Sequence, residues 1–149
     1  MSGSDAAQQP STLFRSVRVF DGGSGSLSEP MDVLVRGTTI ESISPPSNAR
    51  TDEVGTVVLD GGGRALMPGL IDAHWHTFLA TLPVAVFLSA DVGYLNQVAA
   101  RDAERTLMRG FTTVRDVGGP CFGLKRAIDE GIVAGPRIYP SGALISQTS

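Results

Sequence analysis

Cysteine occurs once in the 149 residues, at Cys121, so no disulfide framework can be built and the chain suits a reducing, cytoplasmic setting. Charge of one sign is also missing. Twelve basic and 15 acidic residues are scattered to a net −3, which excludes the electrostatic footprint of a nucleic-acid or anionic-membrane binder. No apolar run approaches the roughly 20 residues that span a bilayer. The most apolar stretch, "FLATLPVAVFLSADV" from Phe78 to Val92, is broken by Pro83 and closed by Asp91, and reads as a buried helix or loop. The opening "MSGSDAAQQPST" has neither a positive cluster nor the apolar core of a secretory signal, so residues 1–12 read as a loose tail. Histidine is nearly absent too: His74 and His76 are the only two.

What is present is 42% hydrophobic residues in a length that suits an ordinary globular domain with a real core. Eighteen glycines sit at the joints between apolar runs, which implies many short elements and tight turns. Up to residue 64 the apolar period is two. In "MDVLVRGTTIESIS", Met31, Val33 and Val35 share one side of a strand, and Gly37 turns the chain so that Ile40 and Ile43 return as its partner. Residues 13–64 therefore read as a small antiparallel β-module. From residue 65 the pattern changes. "ALMPGLIDAHWH" holds a short apolar strand behind Pro68 and Gly69; Leu95, Val98, Ala99, Ala103 and Leu107 recur at helical spacing, with Gly110 as a C-cap. "FTTVRDVGG" is the next strand, "FGLKRAIDEGIVAG" a helix ended by Gly131 or Gly135, and "PRIYPSGALI" a third strand. Alternating strands and helices imply an α/β fold with a parallel sheet.

In a strand, residues two apart point to one side, so His74 and His76 can aim both imidazoles at a single ion. Neutral imidazole is a good ligand for zinc and its neighbours. Asp72 lies one step earlier, placed either to accept a ring N–H from behind a ligand or simply to be buried and hydrogen-bonded. An H-x-H alone reads first as two half-exposed strand histidines. Its place at the end of a strand in a βα pattern favours the metal, because function gathers at the carboxyl ends of parallel strands.

The string "MPGLIDAHWH" resembles the first-strand signature of the metal-dependent amidohydrolase superfamily. "GFTTVRDVGG" and "GPRIYPSGALISQTS" are similar to the second and third strands of its imidazolonepropionase-like and Xaa-Pro dipeptidase-like branch. "DVLVRGTTIESIS" and "VVLDGGGRALMPG" resemble the family's small β-sandwich, built jointly by its N- and C-terminal segments. The resemblance implies a fold in which residues 13–64 form part of that sandwich and residues 65–149 the first two to three βα units of a (β/α)8 barrel of the TIM type. It implies that His74 and His76 ligate the more buried metal of a site holding one or two divalent ions, usually zinc. It also implies a lysine on the fourth strand, histidines on the fifth and sixth, and an aspartate on the eighth that takes a proton from water. None of these has a counterpart up to Ser149.

A closed barrel needs about 250 residues, whereas 85 follow position 64, so the barrel reads as incomplete and the chain as an N-terminal portion of something longer. Two imidazoles fall short of the three or four protein ligands of a usual zinc site. The expected function is thus hydrolysis of C–N bonds in small amide, cyclic amide or dipeptide-like substrates by the intact protein, with the chain inactive alone. The alternative is a non-catalytic binding or assembly module, or a truncated gene product. No motif encodes an oligomeric state. Among lesser candidates, "DGGGR" at 60–64 reads as a flexible interdomain link instead of a phosphate loop, since no helix follows it. Arg115 and Asp116 could reach a substrate but better suit ion pairing or a turn, Cys121 suits a small buried or loop position over a nucleophile, and Ser146, Gln147 and Thr148 a polar loop that could reach substrate.

Overall fold

The computed structural model describes residues 9–46, 55–145 and 147. They fall into two compact units that divide after Pro68.

The first unit is one five-stranded sheet built around β1, Ser11–Phe20. β2, Leu27–Arg36, pairs antiparallel with one edge of β1, and β3, Thr39–Ser44, folds back on β2. Gly37 makes that turn at φ +57, a left-handed conformation that side chains resist. β4, Thr56–Asp60, and β5, Ala65–Leu66, lie along the other edge of β1, both parallel to it.

Four expectations are corrected here. The tail is shorter than residues 1–12, because Ser11 and Thr12 already pair with both neighbours and Ser11 Oγ meets Thr56 Oγ1 at 2.6 Å. The module is mixed, not antiparallel, since β4 runs parallel to β1. The β-module runs past residue 64, since Ala65 and Leu66 belong to this sheet, while the strand expected behind Pro68 and Gly69 does start there, at Leu70. "DGGGR" is no free link either. Gly61 donates to the Arg15 carbonyl at 2.7 Å, Gly63 to that of Ser16 at 2.8 Å, and Arg64 accepts from Arg18 N–H at 2.9 Å.

β1 also carries a bulge. Between the pairs Phe14–Val33 and Val17–Met31 it has one residue more than β2, and Ser16 takes φ 51. Asp32 Oδ1 accepts the Ser16 N–H at 2.9 Å, which satisfies a donor that the bulge removes from the ladder.

The second unit alternates strands and helices. β6, Leu70–Trp75, β7, Phe111–Asp116, and β8, Arg137–Pro140, form a parallel sheet in chain order. Two helices separate β6 from β7: α1, Val84–Ser89, and α2, Val92–Met108. α3, Phe122–Asp129, leads from β7 to β8. Asp91 caps α2 by accepting from Gly93 N at 2.8 Å and Tyr94 N at 3.2 Å. Gly110, at φ +96, ends it where the spacing predicts. Leu95, Val98, Ala99, Asp102, Ala103 and Thr106 form its buried face. Leu95, Ala99 and Ala103 pack with Val114, Ile138, Trp75 and Leu124 in one core. Val114 and Ile138 are 0% and 1% exposed, each worth about 1.5–3 kcal/mol of burial.

The stretch from Phe78 to Val92 differs from its reading as a buried helix or loop. α1 has no buried residue, and Val84 and Leu88 face solvent, because only Phe78, Leu82, Phe87 and Ala90 reach the core. Among the described residues no helix is long and apolar enough to cross a membrane.

Candidate metal centre

The three parallel strands bring their carboxyl ends to one level, and the histidine pair stands there. Trp75 is buried and turned to the core, so alternation sends its two neighbours to the opposite face. The rings of His74 and His76 have centroids 5.3 Å apart and meet edge to face at 77°. His74 is exposed and His76 half-buried.

Each histidine is held differently. Asp72 Oδ1 accepts the backbone N–H of His74 at 3.0 Å, so this carboxylate braces the strand backbone instead of a ring. The pairing with β7 is irregular between Asp72 and Trp75. His76 Nδ1 lies 3.3 Å from the carbonyl of Gly118. A carbonyl only accepts, so a hydrogen bond here requires the tautomer with the proton on Nδ1, which leaves the Nε2 lone pair for a ligand.

Behind the pair is a polar knot that periodicity does not reveal. Asp116, at the end of β7, is 0% exposed, and so are Thr77 and Cys121. Asp116 Oδ2 accepts the Thr77 N–H at 2.9 Å and also its hydroxyl, while Oδ1 accepts the Gly118 N–H at 3.0 Å. Its backbone carbonyl takes the N–H of Ser141, just past β8, at 2.9 Å. Val117 N–H closes back on the Trp75 carbonyl at 3.0 Å. Burial, followed by the neighbouring Asp116 charge and hydrogen bond, pushes the Cys121 thiol up to about 11, so it is no nucleophile. Asp116 thus has the turn role expected of it, and Cys121 the small buried site. Arg115 is exposed, as is Gln147, while Ser146 and Thr148 lie outside the described residues. Neither Thr77 nor Gly118 is marked by the sequence, because only the pairing of Trp75 with Asp116 brings them together.

Two imidazoles are a donor set for zinc or a neighbouring divalent ion. Among the described residues, no group of three or more His, Cys, Asp or Glu side chains converges. Asp116 cannot be drafted as a third ligand, because both its oxygens are occupied by donors inside the fold. The fit is that of two ligands out of the three or four that hold zinc.

Residues 65–149 match the Amidohydrolase family. Ochratoxinase of Aspergillus niger is 32% identical over 98 residues, which covers 56% of this chain and 18% of that protein. A dihydroorotase of Streptomyces coelicolor is 37% identical over 65 residues, 44% of this chain and 13% of its own. A solved prolidase complexed with N-methylphosphonate-L-proline aligns with 89% of this chain and 32% of its own, at a TM-score of 0.75 and 31% identity. The chain thus spans about a third of that structure, and its matched part less than a fifth of the other two proteins.

Proposed function

The chain belongs to the amidohydrolase family, and from that premise we propose that the whole protein is a metal-dependent hydrolase of C–N bonds in small amide, cyclic amide or dipeptide-like substrates. The observation that carries the reading is the pair of imidazoles, 5.3 Å apart, at the carboxyl end of the first parallel strand. The relatives support the substrate class: one is a dihydroorotase, one a prolidase. The parallel sheet β6-β7-β8 with its helices is, on this reading, the opening of a (β/α)8 barrel, whose strand ends collect the site. One buried cysteine suits a cytoplasmic location.

His74 and His76 would hold the cation through ring nitrogens, and zinc fits their donor type. A divalent ion bound there supplies Lewis-acid polarisation of a carbonyl and makes water acidic enough to react near neutral pH. The chain's own part is orientation. Gly118 keeps the His76 proton on Nδ1, and Asp72 fixes the backbone from which His74 projects. No described carboxylate beside the pair is free to act as a general base: Asp72 holds the backbone and Asp116 is sealed off from solvent. The 149-residue chain alone is therefore inactive on this reading.

Hydrolysis of N-acyl amino acids and Xaa-Pro dipeptides by the zinc-loaded protein, in its full cellular length, tests this. His74→Asn and His76→Asn are each expected to lower kcat/KM at least a hundredfold, corresponding to about 2.7 kcal/mol or more of transition-state stabilisation. Full activity in both variants would overturn it, and turnover by the 149-residue chain would overturn the inactivity assigned to that chain alone.

A further inference from the structure

Asp116 is the one fully buried carboxylate among the described residues, and the proposed hydrolysis leaves it without a part in the reaction. Its side chain meets only donors: the Thr77 N–H and hydroxyl on one oxygen, the Gly118 N–H on the other. Ionised carboxylate is an acceptor without donors, so it matches this cradle as no neutral amide can. The two residues it grips are the ones that fix His76. Thr77 follows His76 directly in the chain, and Gly118 presents the carbonyl that receives His76 Nδ1–H at 3.3 Å.

We propose that Asp116 is a positioning residue, which clamps Thr77 and Gly118 together and so fixes the tautomer and direction of the His76 ring. The purpose assigned to that clamp rests on His76 being a metal ligand. With Nδ1 protonated, Nε2 is the lone pair that faces an ion. Were the Gly118 carbonyl released, the proton would be free to move to Nε2 and block it. The bond from the Asp116 carbonyl to Ser141 N–H extends the same clamp to the end of β8. A carboxylate that served only packing would satisfy its donors without leaving a mark on a ring it does not touch.

Ring-nitrogen NMR of the uniformly labelled, zinc-free chain at pH 8 reads the tautomers directly. Wild type is expected to hold the His76 proton on Nδ1. In Asp116→Asn the amide brings donors to a site of donors; the His76 proton is expected to shift partly or wholly to Nε2, while the His74 spectrum stays as in wild type. Zinc affinity, measured by competition with a chromophoric chelator, should fall by about ten- to a hundredfold, the usual cost of losing an outer-sphere partner. Thr77→Val keeps the N–H bond and removes only the hydroxyl, so it covers the case in which Asp116→Asn fails to fold; a smaller shift in the same direction is expected. Wild-type His76 protonated on Nε2 would overturn the proposal. So would an unchanged His76 tautomer in folded Asp116→Asn, or in Thr77→Val should the asparagine variant not fold. Wild-type protein in its full cellular length that shows the expected tautomer but takes up no zinc would contradict the hydrolase reading and still support the clamp.

Discussion

Trp75 separates the two imidazoles and is the reason they converge: once its indole is committed to the core, its neighbours have one face left to them. That much is legible in the sequence, because alternation is local and needs no partner strand. The partners of the rings are not legible. Gly118 lies 42 residues from His76, and Asp116 lies 39 from Thr77, so only the pairing of β6 with β7 shows that they touch. Cys121 is similar. Its single occurrence excludes a disulfide at once, but its thiol is raised from 9.0 to about 11 by burial and by an aspartate found only through the fold. The raised value stabilises the folded state fully below pH 9 and progressively less up to about 11, because the unfolded chain releases that proton first. Urea unfolding of wild type and Cys121→Ser across pH 8 to 11 is expected to show a steeper loss of stability in wild type. Equal slopes would contradict the assignment.

At the scale of elements, helices are the more legible half. The spacing of Leu95, Val98, Ala99 and Ala103 fixes the buried face of α2, and Gly110 its end, because 3.6-residue periodicity and a glycine stop are both written within one turn. α1 shows the converse. Its apolar composition suggests burial, yet a six-residue helix has only one side to pack, and composition says nothing of which neighbours exist. The β-module shows how strand direction escapes a sequence: alternation marks β1 and a short apolar run marks β4, but neither says whether they run together or opposed. The Asp60–Arg64 turn has a specific role, since it is laid along β1 by three backbone bonds. A methyl on Gly61 would meet Val17 Cγ1 at 2.3 Å and the Arg15 carbonyl at 2.7 Å. The carbonyl belongs to the ladder and cannot swing aside, so Gly61→Ala is expected to cost about 1–3 kcal/mol. Chemical denaturation checks it, and a variant within about 0.5 kcal/mol of wild type, the range of an ordinary surface substitution, would show that the turn can lift off β1.

For the whole molecule, the change of grammar near residue 65 is written in the residue pattern itself: period two gives way to alternating strand and helix. The observed division falls a few residues later, after Pro68, because Ala65 and Leu66 still pair with β1. The Pro68-Gly69 step then starts the parallel sheet, and Gly69 is required there, since a Cβ would sit 2.1 Å from Thr112 Oγ1. Membership of the amidohydrolase family agrees with this arrangement, as its matched span begins at residue 65. What the molecule does depends on whether the two imidazoles share an ion. Anomalous diffraction at the zinc edge, from crystals of the protein grown with zinc, measures this without recourse to activity. The expected result is a peak about 2.0–2.1 Å from Nε2 of both His74 and His76. A peak touching only one of the two rings, or zinc bound elsewhere while both rings stay free, would contradict it.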